Sequence, residues 1–170
     1  MIFPYALTDQ GWTIPEYVMV EIYNKMSSCD LIKTVFPSGG GDNLNKFLEY
    51  YKRRSNVVHV LLGNDKIDGI VWLNNWRYNS ASGHFCFFPH TWGKSAKETG
   101  RKVIKYWFDT FNTKDLKLDV IFGKIPATNK RAVKFAQEIG LTKIGEIGSI
   151  RYKGDKGAKG VVLLAVERSE

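Results

Sequence analysis

The sequence predicts a mixed α/β fold in which antiparallel strands lead into a parallel pair, and three observations carry that reading. Two strand-like runs, Val57 to Leu62 and Ile67 to Trp76, are joined by Gly63-Asn64-Asp65-Lys66, a hairpin turn by length and residue type. The run His84-Phe85-Cys86-Phe87-Phe88-Pro89 then passes through the tight turn His90-Thr91-Trp92-Gly93-Lys94-Ser95 into a segment with helical spacing, Ala96, Gly100, Val103, Ile104, Trp107, Phe108 and Phe111. The pattern repeats at once. Leu118, Val120 and Phe122 alternate with Lys117, Asp119 and Ile121 in a strand that stops at Ile125-Pro126. Ala132, Phe135, Ala136 and Ile139 then form one helical stripe closed by Gly140. Strand, helix, strand makes the two strands parallel neighbours, and ligands bind beyond the carboxyl ends of such strands.

The remaining elements follow in order. Met1 to Thr13 has no clear period and reads as an aromatic segment packed across the fold. Thr13 is a candidate cap, and Pro15 suits the first turn of a helix that ends near Ser27-Ser28 with Val18, Ile22 and Met26, and Tyr23 and Met19 nearby, on its apolar side. Pro37-Ser38-Gly39-Gly40-Gly41 is a loop. Asp42 or Asn43 caps a second helix through about Arg54, with Leu44, Phe47, Leu48 and Tyr51 inward. Asn79 to Gly83 reads as the turn before the third strand, and Thr128 as the cap of the last helix. Leu141 to Ile147 and Val161 to Val166 are the final strands. Between them Gly148 to Gly160 holds four glycines, four cations and one carboxylate, a mobile and positive loop. No repeat is visible, so residues 1–170 read as one domain. Its parts are a helical region (1–56), antiparallel strands (57–89), a turn, helix, strand and helix (90–140), and the last strands (141–170).

Composition bounds the function. A 44% apolar chain of 170 residues buries an ordinary core without staples. Cys29 and Cys86 have neither metal-like nor framework spacing, and three scattered histidines add no ligand set, so no metal is expected and a reducing compartment is. The apolar runs are strand-sized and no charged-then-apolar leader opens the chain, so it reads as soluble and cytoplasmic, with no membrane partner. The formal charge of +8 suits an anionic partner or a solvated basic surface. Lys94, Lys97, Arg101 and Lys105 share the helix face opposite the apolar stripe.

The chemistry centres on the His90 to Ser95 turn. Such a turn aims the first amides of a helix, and the positive end of its dipole, at whatever lies above it, which is how backbone binds phosphate. Gly93 permits close approach, while Lys94 and Ser95 add a cation and a hydroxyl. As proton acceptors, His84 lies on the strand before the turn and Asp119 on the adjacent strand. Glu49 is more remote, and His59 has less support from position. Histidine titrates near neutrality when unperturbed, which suits a base. Asn129, at the head of the last helix, reads either as a cap or as a ligand for a cofactor amide or phosphate. Cys86, in an apolar strand, reads as packing.

This element order resembles that of the GCN5-related N-acetyltransferase (GNAT) superfamily. In that family the turn follows the pattern Arg or Gln, two residues, Gly, one residue, then Gly or Ala, and its amides hold the pyrophosphate of acetyl-CoA. His90-Thr91-Trp92-Gly93-Lys94-Ser95 is similar but begins with His and ends with Ser. The family's later motif is matched by Asn129, Ala132, Gly140 and Leu141. The resemblance covers about Val57 to Val166. It implies direct acetyl transfer from acetyl-CoA to an amine, with Phe87 and Phe88 offering backbone groups to the pantetheine arm and His90, Trp92, Gly93, Lys94, Ser95 and Asn129 around the cofactor. The tyrosine by which many members protonate the departing thiolate is replaced here by Ala136.

Two other readings compete. The chain also resembles short GNAT-like proteins of tailed bacteriophages, some of them internal head or assembly proteins, which implies a non-catalytic fold bound to virion proteins or DNA, in the host cytoplasm or the particle. The third reading is nucleic-acid binding through the Lys94 to Lys105 face and the Arg151 to Lys159 loop, with Trp76, Tyr78 and Tyr152 available for stacking.

Overall fold

The computed structural model describes residues 1–36, 39–150 and 160–169. Its elements are β1 (Ile2–Tyr5), β2 (Leu7–Thr8), β3 (Gly11–Trp12), α1 (Glu16–Ser28), α2 (Ile32–Val35), α3 (Leu44–Tyr51), β4 (Val57–Leu62), β5 (Ile67–Arg77), β6 (Ser80–Phe87), α4 (Lys94–Thr110), β7 (Val120–Pro126), α5 (Lys130–Glu138), β8 (Thr142–Ile147) and β9 (Val161–Glu167). The strands follow the order β1-β4-β5-β6-β7-β9-β8 in a mixed sheet, apart from the small β2-β3 hairpin. The predicted mixed α/β class is the one observed. The chain divides into two compact units, Met1–Asn74 with His84–Trp92, and Asn75–Gly83 with Gly93–Glu170.

In the first unit β4 pairs antiparallel with both β1 and β5. Met19, Ile22 and Met26 of α1 and Phe47 and Tyr51 of α3 are buried in one cluster with Val58, Val60, Ile70 and Trp72. On α1 it is Met19 rather than Val18 that is fully buried beside Ile22 and Met26. β1 replaces the unpatterned segment the sequence suggested. It is an edge strand interrupted by Pro4, where a missing amide hydrogen is tolerated, and only Tyr5 is buried, so no alternation shows. Thr13 does not cap α1. Its hydroxyl donates to Pro4 O at 2.5 Å and accepts from Ala6 N at 2.9 Å, pinning the β2-β3 hairpin, and Pro15 takes the cap position. Asn43, by contrast, caps α3 by accepting from Lys46 N at 3.0 Å.

His59, on β4, is 2% exposed, and burial depresses its pKa to about 4. Between that value and the unperturbed 6.5 the unfolded chain binds a proton that the folded chain refuses, so stability falls as pH drops through this window. We expect a loss of up to about 3 kcal/mol in urea unfolding between neutrality and pH 4. His59→Leu should remove that component of the slope; an unchanged pH dependence in the variant would refute it.

In the second unit β7 runs parallel to β6 through Ser80↔Val120, Ala81↔Ile121 and Ser82↔Phe122, while β9 pairs antiparallel with β7 and with β8. The parallel pair is the one predicted, but β6 starts earlier than the sequence suggested. The polar and small residues Ser80, Ala81, Ser82 and Gly83 belong to the strand, with Ala81 and Ser82 buried, and the turn shrinks to Tyr78-Asn79, with Tyr78 at φ 51°. The buried face of α4 is Ala96, Gly100, Val103, Ile104, Trp107 and Phe108, as its spacing required. Thr128 is not the cap of α5. Asn129 is, its side chain accepting from Ala132 N at 3.1 Å.

Candidate active site

In the first unit the end of β6 is held from β5. Phe88 N donates to Asp68 O at 2.8 Å, and His90 Nε2 lies 3.0 Å from Asp68 Oδ1. The neighbouring Gly69 has no room for a side chain, since a Cβ there would stand 2.2 Å from Cys86 O. Pro89 to Thr91 then form one helical turn in which Thr91 donates to Phe88 O through both N, at 2.9 Å, and Oγ1, at 2.8 Å. The Trp92 indole donates to Phe87 O at 2.8 Å. Three of the groups expected to face a pantetheine arm, the Phe87 carbonyl and the Phe88 amide and carbonyl, therefore already have partners within the chain. His90 and Trp92 brace it through their side chains, and the anchor Asp68 belongs to no motif of the sequence.

In the second unit Gly93 stands before α4 at φ 97° and ψ −132°, a conformation open to glycine, and no side chain caps the helix. The first helical bond is Lys97 N to Gly93 O at 3.3 Å, so the amides of Lys94, Ser95 and Ala96 precede the intrahelical ladder. Lys94 and Ser95 are exposed. That is the geometry of an anion-binding helix terminus.

His84 is held in the first unit by groups the sequence reading did not single out. Its ring stacks on Trp72 with centroids 4.7 Å apart and planes 5° from parallel, and its Nε2 lies 2.9 Å from Asn74 Oδ1. Asn74 Nδ2 donates to the Tyr50 hydroxyl at 2.9 Å, and Trp72 Nε1 donates to the same hydroxyl at 3.2 Å. Burial raises the pKa of Tyr50, with the two hydrogen bonds and the Arg53 charge opposing it. Asn74 is 8% exposed, and one signal pointed to it: an amide directly after the apolar run Ile70 to Leu73 must find partners where it is buried.

Other candidates occupy different settings. Asp119, in the second unit, accepts from Asn79 Nδ2 at 3.0 Å and lies 3.3 Å from Lys117 Nζ and 3.4 Å from Arg168 Nε. The Asn79 hydrogen bond, with the two cations, lowers its pKa, and such a carboxylate is a weak base. Asn129 spends its oxygen on the α5 cap. Ala136 is buried, and its carbonyl accepts from Leu141 N at 3.0 Å. Burial pushes the Cys86 thiol up to about 12, which makes it inert packing.

The four cations of the predicted α4 stripe are engaged: Lys94 with Glu98, Lys97 with Glu138, Arg101 with the Glu138 carbonyl and Lys105 with Asp109. This stripe is thus largely an ion-paired helix face, while Arg151 to Lys159, the other basic element, lies outside the described residues. Among the described residues no cluster of His, Cys, Asp and Glu could hold a metal, and no helix is long and apolar enough to cross a membrane.

No protein-family model matches the sequence, and no curated protein matches it. Solved structures do. The chain is similar to spermidine N-acetyltransferase from Vibrio cholerae in complex with CoA and spermine (17% identity, 91% of this chain and 92% of that one, TM-score 0.72). It is similar to a GNAT-family acetyltransferase from Bacillus anthracis (16% identity, 98% and 93%, TM-score 0.72). It is also similar to the Microcin C7 self-immunity acetyltransferase MccE in complex with acetyl-CoA and AMP (15% identity, 95% and 98%, TM-score 0.70). At these identities the likeness establishes the fold, which is that of the GNAT acetyltransferases.

Proposed function

We propose that the chain is an acetyl-CoA-dependent N-acetyltransferase acting by direct transfer to an amine. The observation that carries the reading is the uncapped, glycine-led terminus of α4, directly after the braced His90 to Trp92 turn, in a fold of which two solved examples, the Vibrio cholerae spermidine N-acetyltransferase and MccE, hold CoA or acetyl-CoA. The residues fit such a ligand. Gly93 puts no side chain before the amides of Lys94, Ser95 and Ala96, which would bind pyrophosphate oxygens with the Ser95 hydroxyl and the Lys94 ammonium nearby. Asn129, through its amide nitrogen, is a further proposed contact, whereas the Phe87 carbonyl and both backbone groups of Phe88 are spent within the chain.

Bound acetyl-CoA would supply the thioester, whose C–S bond breaks as the acceptor nitrogen forms its bond to the acetyl carbon. His84 accepts the proton the amine gives up, a contribution of typically about 10²–10⁴-fold. Asp119, held ionised in its cluster, is the weaker candidate for that role. Ala136 has no proton to give to a departing thiolate, and none of the chain's residues is assigned that task.

The reading is tested by calorimetry of acetyl-CoA at low and moderate salt, with heparin as a charge control. CoA release is then followed with spermidine and with a lysine-containing peptide. Saturable micromolar binding that survives salt, with release that needs an amine, is expected. Absent binding, or heat that vanishes with salt and is matched by heparin, would overturn it and return attention to a non-catalytic fold with protein or nucleic-acid partners.

A further inference from the structure

The acetyltransferase reading names an amine as the acceptor but not what else that molecule carries, and the groups bordering His84 bear on it. We propose that the acceptor bears an oxyanion, a carboxylate or a phosphate, in addition to its amine, and that Arg53 at the end of α3 is the specificity-determining residue that holds it. The proposal rests on the acetyltransferase reading and on His84 as the base.

α3 reaches the base through Tyr50. The Tyr50 hydroxyl stands 2.9 Å from the Asn74 amide, and the other end of that amide stands 2.9 Å from His84 Nε2. Trp72, which stacks on His84, donates to the same hydroxyl through Nε1 at 3.2 Å. Whichever way the Asn74 amide is turned, these neighbours are a phenol, an amide and an indole, all neutral near pH 7. They offer hydrogen bonds and aromatic surface, and no counter-charge for an ammonium.

The charge on this border is positive. Arg53 follows Tyr50 by about one helical turn, and its guanidinium carbon lies 5.5 Å from the centroid of the Tyr50 ring. That ring is fixed in turn, edge-on to Phe36 and to Tyr51 at centroid distances of 5.2 Å. Burial raises the Tyr50 pKa and the Arg53 charge opposes it, so the field of the guanidinium reaches the hydroxyl. Lys52, the cation before it, is ion-paired with Glu16, whereas no carboxylate of the described residues pairs with Arg53. Asp42 faces Lys46 at 3.8 Å, and Glu49 is exposed about 100° round the helix from Tyr50. A cation over a ring engages through its charge and keeps its N–H fork, which fits a carboxylate or a phosphate with two parallel bonds. Arg53 is exposed, so an acceptor can reach it. An amine that brings an oxyanion to this border meets an opposite charge, and a polyamine meets a like one.

The kinetic test uses the full chain with acetyl-CoA and four acceptors that share one alkyl amine: hexylamine and its analogues with a terminal carboxylate, a terminal phosphate or a second amine. At low salt the better of the two acids is expected to have a KM at least about fivefold below that of hexylamine, and the diamine a KM above it, with kcat alike, since Arg53 holds the remote end equally before and during transfer. The two acids tell which oxyanion is held. Added salt should narrow the spread, because Arg53 is exposed. Arg53→Gln should bring the KM values together, Arg53→Glu should reverse their order, and Arg53→Lys should recover part of the preference. A cation that serves only the negative end of the α3 dipole would change thermal stability and leave the choice of acceptor untouched. A wild-type chain that prefers the diamine, or a preference unchanged in Arg53→Gln, overturns the proposal even if acetyl transfer is confirmed.

A binding arm needs no turnover. NMR titration of the chain with the N-acetylated forms of the same four amines reads their affinities directly, and the acidic products are expected to bind more tightly than the other two in the wild type and no more tightly in Arg53→Gln. That pattern in a chain that transfers no acetyl group would leave the oxyanion site standing and refute the proposed activity. Equal affinities for all four, or no binding of any, would refute the site.

Discussion

Gly69→Ala is expected to destabilise the protein by more than about 3 kcal/mol, beyond the 1–3 kcal/mol typical of an over-packed core position. The added Cβ would stand 2.2 Å from Cys86 O and 3.1 Å from Phe87 Cα, and both obstacles are backbone. Nothing there can rotate away, so β5 and the end of β6 must separate. Gly100→Ala is the informative contrast. Its Cβ would meet Ile139 Cγ2 at 2.8 Å and Phe135 Cζ at 3.0 Å, the far ends of side chains that can shift. Against a typical total of about 5–15 kcal/mol the first change threatens folding and the second does not. Urea unfolding of the two variants side by side checks this, and a Gly69→Ala protein at least as stable as Gly100→Ala would refute it. The effect should also reach the turn. Asp68, next in the chain, is bonded to Phe88 N and paired with His90, so any Gly69→Ala protein that still folds is expected to bind acetyl-CoA more weakly.

The sequence made the regular half of this architecture legible and left the anchoring groups hidden, for physical reasons. The α4 stripe was legible because six buried positions recur at helical spacing on a long helix, and the parallel pair because strand, helix and strand follow one another. Gly93 was legible because a glycine after a strand and before a helix has few other uses. Short or non-alternating elements were not. β1 has four residues with one buried, and Ser80 to Gly83 carry turn-type residues into a strand that is buried by its neighbours rather than by its own hydrophobicity. Asp68 and Tyr50 were hidden for a further reason. Their partners lie 22 and 24 residues away, His90 for Asp68 and Asn74 for Tyr50, and no periodicity encodes a bond made only when strands and helices have assembled.

Gly93→Val should abolish detectable acetyl-CoA binding in a protein that remains folded, and the geometry separates this from a packing effect. A Cβ at Gly93 would meet no heavy atom within 4 Å, so nothing in the interior is displaced. The cost arises from φ 97°, which a β-branched residue resists by about 1–3 kcal/mol, well short of typical total stability. Whichever way the chain answers, binding suffers. Should the turn keep its shape, an isopropyl group stands before the amides of Lys94, Ser95 and Ala96; should it relax, those amides point elsewhere. Loss of two hydrogen bonds to a charged oxygen, at about 1.5–3 kcal/mol each, corresponds to at least about a hundredfold weaker binding. Lys94→Ala supplies the comparison. Its side chain is 91% exposed and 3.8 Å from Glu98, so losing it removes a solvent-screened charge and should cost less than about tenfold. Calorimetry on both variants, with thermal unfolding as the control for folding, reads the order directly. If Lys94→Ala proves the more damaging of the two, the ligand is held by surface charge and not by the backbone of the turn, and the proposed cofactor site falls.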